Sequence, residues 1–165
     1  MKKTFSVLKY LLLLFIIAVF TLPSVSAQTD SSSSIKNALQ SKNFVFVART
    51  VTPMRGGLKQ LTSYYDVKVS NDSLISYLPY FGRAYTAPLD PSKAGLHFTS
   101  TNFSYDINER RKGGWNIMIK PNDNTDVREL TLTVFKNGNA SLQVLSNNRE
   151  AISFNGTIKA VNQNK

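Results

Sequence analysis

Hydrophobic residues recur at two periods along this chain, and the switch between them divides it. Ile35, Ala38 and Leu39 fall at i, i+3 and i+4, the spacing of one helix face, with Ser33 or Ser34 placed to cap the N-terminus. So short a helix persists only when docked on something larger. From residue 43 onward the period is two. Phe44, Phe46 and Ala48 share one face of a strand over residues 43–52, and Val45, Val47 and Val51 the other. Both faces are apolar, as in a strand covered on both sides, and Pro53 ends it. Residues 54–57 form a loop. Tyr65, Val67 and Val69 then alternate with Tyr64, Asp66 and Lys68, a half-buried strand, and residues 70–73 turn the chain into a strand over 74–78.

Residues 89–95 read as loop. Residues 96–100 and 103–109 are expected to pair as a hairpin. After a turn at 110–114, Trp115, Ile117 and Ile119 alternate up to Pro121, and residues 122–126 turn again. Leu130, Leu132 and Val134 alternate with Glu129, Thr131 and Thr133. Asn137-Gly138 predicts a type I′ hairpin turn, because both residues tolerate positive φ. Ala140, Leu142 and Val144 make the return strand. Residues 147–150 turn once more, and Ile152, Phe154, Gly156 and Ile158 close the pattern. About nine strands joined by short turns predict a mainly β fold. It is a curved antiparallel meander, closed as a barrel or folded over as a sandwich, with the short N-terminal helix packed on it.

The segment before the periodic region has a different character. Lys2 and Lys3, an apolar run over residues 10–20, and a small-x-small ending at Val25 and Ala27 have the layout of a signal peptide. The run falls short of the roughly 20 residues a membrane-spanning helix needs. The expected organisation is a signal peptide at 1–27 and a flexible serine-rich lead-in with the short helix at 28–42. A single β domain follows at 43–165. The expected location is the periplasm or outside the cell. The chain has no cysteine, which excludes a lipidated cysteine anchor, disulfides and thiolate chemistry. Its 20 Lys and Arg against 10 Asp and Glu make it basic, although Lys2, Lys3 and Lys9 lie in the leader. For an exported protein, basicity points to anionic lipid, polysaccharide or wall polymer more than to nucleic acid. Arg110, Arg111 and Lys112 sit together at a turn, where they can touch an anionic surface.

Few residues suggest reaction chemistry. His97 is the single histidine, so a multi-histidine metal site is excluded, and its place in a strand beside Phe98 marks it as a structural or surface histidine. Residues 123–126 have the flavour of a calcium loop but lack its remaining ligands. Gly56-Gly57 and Gly113-Gly114 do not lead into a helix with Lys-Ser/Thr, as a phosphate loop does. No cofactor, metal site or catalytic set is expected. The least generic stretch is residues 76–88, with Tyr77, Tyr80, Phe81, Gly82, Arg83 and Tyr85 between Pro79 and Pro88. It offers stiff aromatic surfaces with hydroxyl ends and a fork-shaped cation. Tyr77, Tyr80, Phe81, Arg83 and Tyr85 are the candidate ligand-binding residues. The competing assignment is an aromatic plug at the end of a curved sheet, with Arg83 bonded to backbone carbonyls.

The run from Tyr77 to Tyr85, with Tyr65-Asp66-Val67-Lys68-Val69, Asn137-Gly138, Arg149 and Ile152-Ser153-Phe154-Asn155-Gly156, resembles the family called domain of unknown function 4251. That resemblance implies a small exported protein of the kind found mostly in Bacteroidota. It implies no established activity and supplies no catalytic residues. Asp72-Ser73-Leu74 also resembles the Asp-Ser/Thr-apolar sites that such organisms O-glycosylate. The expected function is a non-enzymatic binding module of the cell envelope. A structural or assembly protein docking onto an envelope partner is the alternative, and a hydrolase using two carboxylates comes last.

Overall fold

A computed structural model describes residues 28–85 and 94–161. The leader at 1–27, Pro88 and most of the loop expected at 89–95 lie outside the described residues. Among the described residues there are a helix α1 (Gln28–Gln40) and nine strands: β1 (Phe44–Pro53), β2 (Lys59–Val69), β3 (Leu74–Leu78), β4 (Leu96–Ser100), β5 (Phe103–Glu109), β6 (Trp115–Pro121), β7 (Val127–Val134), β8 (Asn139–Ser146) and β9 (Ile152–Ala160). All nine belong to one antiparallel sheet in the order β4-β3-β2-β1-β9-β8-β7-β6-β5, curled into a nearly closed barrel. The helix starts earlier than its apolar spacing suggests, taking in the polar residues 28–34 expected as a lead-in.

Period-two alternation places one face of each strand inside. Trp115, Ile117 and Ile119 of β6, Ala140, Leu142 and Val144 of β8, and Leu130, Leu132 and Val134 of β7 are all buried. They join Phe44, Phe46 and Phe154 in one core that fills the interior. α1 adds Ile35, Ala38 and Leu39 to it. The helix stops in a Schellman geometry: Asn43 N–H donates to Ala38 O at 2.9 Å and Lys42 N–H to Leu39 O at 3.3 Å. Lys42 takes the left-handed position with φ +50°, its ammonium 5.4 Å from the Tyr105 ring centroid. The Tyr105 hydroxyl donates to Leu39 O at 2.7 Å, tying helix to β5.

Three local expectations are corrected. In β1, Val51 joins Phe44 and Phe46 in the core instead of opposing them, because the register shifts between Ala48 and Thr50. One added residue reverses the facing of everything beyond it. At Asn137-Gly138 only the glycine has positive φ, so the turn is not type I′. Phe135 N–H bonds Asn139 O at 2.9 Å and Gly138 N–H bonds Phe135 O at 3.0 Å, a type I turn closed by a left-handed glycine.

The third correction concerns β4 and β5, which do not pair although only Thr101 and Asn102 separate them. They are the two edges of the sheet. Every neighbouring pair is antiparallel and the number of strands is odd, so β4 and β5 run in the same direction. Two residues cannot make a parallel crossover, which takes a dozen or more. The chain therefore bends once, pairing first with β3 and then with β6.

The bend is held by Asp123. Its carboxylate accepts the Ser100 hydroxyl and the backbone N–H groups of Thr101 at 2.9 Å and Asn102 at 3.2 Å. Asn122 N–H bonds Asn102 O at 2.8 Å. The Ser100 hydroxyl and these N–H groups hold the Asp123 carboxyl below the usual carboxylate range. A depressed folded-state pKa stabilises the fold above the ordinary carboxylate pKa of about 4, and the contribution fades as pH falls through the folded value. Asp123→Asn is therefore expected to melt lower than wild type at pH 7, with the gap closing below about pH 4. Paired thermal melts at neutral and acid pH check this, and a constant gap would mean that the Asp123 charge does not hold the bend.

Candidate functional site

Just past β3 the chain leaves the sheet and crosses to the turn between β8 and β9. Three backbone contacts fix it there. Tyr85 N–H donates to Asn148 O at 2.8 Å, Glu150 N–H donates to Arg83 O at 3.0 Å, and Ala84 bridges Arg149 in antiparallel fashion. Tyr80 is half-buried, and its hydroxyl lies 2.9 Å from Arg83 O and 3.0 Å from Glu150 O, with one proton to donate between them. Burial first, and then the Glu150 carboxylate, push that hydroxyl's pKa up against the opposing pull of Arg149. Gly82 lets the backbone pass close to Tyr80: a Cβ there would lie 2.6 Å from the Tyr80 hydroxyl oxygen, so the ring would have to move.

The residue beneath this arrangement is Arg149, only 8% exposed. Its Nε lies 3.1 Å from Asp126 Oδ2, and its Nη1 donates to Ala94 O at 2.6 Å and is 3.3 Å from Gly95 O. Its guanidinium carbon is 5.1 Å from the Tyr80 ring centroid. Next to it Glu150 is buried, with Oε1 3.4 Å from Nε of the exposed Arg55. The bonding to backbone carbonyls considered for Arg83 is made by Arg149, while Arg83 itself is exposed. A charged residue inside Asn147-Asn148-Arg149-Glu150 has the sequence appearance of a solvated turn. Among the residues that carry the family resemblance, Arg149 was the one signal of its importance.

Of the five candidate residues, Tyr80 is thus an anchor, and Tyr77 (50%), Phe81 (41%), Tyr85 (67%) and Arg83 are exposed. Tyr77 stands on the outer face of β3, near-parallel to His97 of β4 at 4.3 Å and to Tyr65 of β2 at 5.8 Å. With rings on both flanks, Tyr77 presents its edge and hydroxyl more than a flat face. Asp66, opposite Tyr77 in register, has its carboxyl pushed up by burial, with Lys68 opposing. Phe81 has the Lys59 ammonium 6.0 Å from its ring centroid. The β1–β2 loop adds exposed Met54 and Leu58. His97 serves as a surface stacking partner.

Arg110, Arg111 and Lys112 are not part of this site. They lie on the β5–β6 turn, near the start of β8, whereas residues 83–85 lie beyond its other end. Among the described residues no group of three or more His, Asp or Glu could hold a metal ion, and no helix is long and apolar enough to cross a membrane.

Comparison with known proteins bears on fold and family. A crystal structure of a DUF4251 family protein from Bacteroides eggerthii DSM 20697 superposes with a TM-score of 0.58 at 19% identity, over 82% of this chain and 93% of that one. At that identity the likeness concerns the fold. No curated protein matches the chain. The family model described as Domain of unknown function (DUF4251) matches residues 26–158, and the chain belongs to that family.

Proposed function

We propose that this protein is an exported, non-enzymatic binding module of the cell envelope. It engages a polar or anionic ligand through Tyr77, Phe81, Arg83 and Tyr85, with Tyr80 as their anchor. The observation that carries the proposal is the combination of fixed backbone and exposed rings. Residues 83–85 are bonded to residues 148–150, and Tyr80 is bonded to both sides, yet the neighbouring aromatics face solvent. Aromatic rings held in place lose little freedom on binding, and Tyr and Arg dominate the energetics of such surfaces. Arg83 and Lys59 supply the cations for an anionic group. The N-terminal leader pattern supports export.

Met54 and Leu58, exposed close to the Arg55 and Lys59 contacts, favour a second occupant, the surface of an envelope protein. Native mass spectrometry of the protein isolated gently from its host tests both readings. A stoichiometric added mass that disappears on denaturation is expected, of small-molecule size for the first and protein size for the second. Arg83→Ala combined with Tyr85→Ala is expected to remove it with an unchanged melting temperature, since exposed substitutions cost within about 0.5 kcal/mol. A bare monomer, or an adduct that survives the double substitution, would sink the proposal for this surface.

A further inference from the structure

The β5–β6 and β7–β8 turns share one hydrogen-bond pattern and lie side by side. In the first, Arg110 N–H bonds Gly114 O at 3.0 Å and Gly113 N–H bonds Arg110 O at 2.9 Å, matching Phe135, Asn139 and Gly138 in the second. The pairing of Trp115 with Val134 sets them next to each other. Gly114 packs so tightly that a Cβ on it would lie 2.2 Å from Val134 O. Each tip lays a cation on the other. The Arg110 guanidinium sits 5.0 Å from the Phe135 ring centroid. The Lys136 side chain crosses Gly113 so closely that a Cβ there would come 2.9 Å from its Cε.

Together with α1 these tips enclose a cleft of about 430 Å³ lined by Ser32, Lys36, Arg110, Arg111, Lys136 and Trp115. Glu109 is the carboxylate lining it, and that group is committed, with Oε1 2.9 Å from Lys36 Nζ. Lys36 and, to a lesser degree, the Trp115 indole and Lys136 hold the Glu109 carboxyl below the usual range. Among the described residues Arg110, Arg111, Lys112 and Lys136 form no ion pair with a carboxylate. Like charges converging on one concavity repel unless an anion joins them. The forked arginines and the lysines suit an oxyanion with several acceptor oxygens.

We propose that this cleft binds a phosphate-type oxyanion, either a free phosphate or the phosphate of a lipid headgroup. It is a second site, beyond the Tyr77, Phe81, Arg83 and Tyr85 surface and independent of it. The single tryptophan of the chain, Trp115, lines the cleft and reports on it directly. In the purified protein, inorganic phosphate and pyrophosphate are expected to shift Trp115 emission saturably, while chloride at matched ionic strength does not. Arg110→Gln with Lys136→Gln is expected to weaken that response at least about tenfold. Should that pair lower stability, Arg111→Glu, on an exposed side chain, tests the same point. A second arm measures co-sedimentation with phosphatidylglycerol and with phosphatidylcholine vesicles. Response to free anions assigns a soluble phosphate, and binding to phosphatidylglycerol vesicles alone assigns a lipid-borne one. The proposal fails if neither arm responds, if chloride acts equally, or if the substitutions change nothing.

Discussion

Arg149→Ala is expected to destabilise the protein by about 3 kcal/mol. Removing the guanidinium deprives Ala94 O and Gly95 O of their donor and takes the cation from Asp126 and from the Tyr80 ring. Isolated surface pairs contribute at most about 1 kcal/mol, but this arginine is buried and serves several partners at once. Asp126 keeps partial solvent access, which holds the figure to the lower end of the range for breaking a buried pair. A urea titration at neutral pH would read the change as a lower midpoint at unchanged slope. Arg83→Ala is the matched control, since that arginine is exposed on the opposite strand of the same contact. Equal effects of the two substitutions would mean that the buried network contributes nothing beyond surface charge.

Gly156→Ala is expected to cost about as much for a different reason, close to 3 kcal/mol. Gly156 lies opposite Ala48, where the β1 register shifts, and a Cβ there would lie 2.0 Å from Val47 O and 3.0 Å from Ala48 Cα. The obstruction is backbone, so no side-chain rotation relieves it, and the two strands must separate at the bulge. The melting temperature should fall by roughly 10 °C. Hydrogen exchange should show weakened protection localised to β1 and β9. Gly57→Ala, with no heavy atom within 4 Å of its added Cβ, should leave the melt nearly unchanged. A small change at Gly156 would show that β1 tolerates displacement at this point.

The individual strands were legible because a two-residue period is a direct record of which face is wet. Trp115, Ile117 and Ile119 are buried in alternation as their spacing predicts. What failed were features whose cause lies elsewhere in the chain. Thr101-Asn102 has the length of a hairpin loop, but the distant pairings of β4 and β5 and the contacts from Asn122 and Asp123 make it a bend. Asn137-Gly138 suits two turn types, both with a left-handed glycine, so φ at Asn137 was not written locally. Val51 changed sides because β1 carries an extra residue relative to β9, and that offset is a property of the pair. At the candidate site, the aromatic stretch stood out by composition, but its division into one anchor and four exposed residues depends on the turn at 148–150. The buried role of Arg149 was hidden because a charged residue among asparagines looks solvated.

The first and last strands are neighbours: β1 is flanked by β2 on one side and β9 on the other. This fixes an order of assembly. A chain made from its N-terminus can fold β1, β2 and β3 as successive hairpins, while the second edge of β1 waits for Ile152–Ala160. Closure then spans nearly the whole domain, a long-range contact that forms slowly. Until the final strand arrives, the unpaired backbone N–H and C=O groups along that edge of β1 are open to any partner strand, so unfinished or C-terminally clipped chains are the species expected to associate.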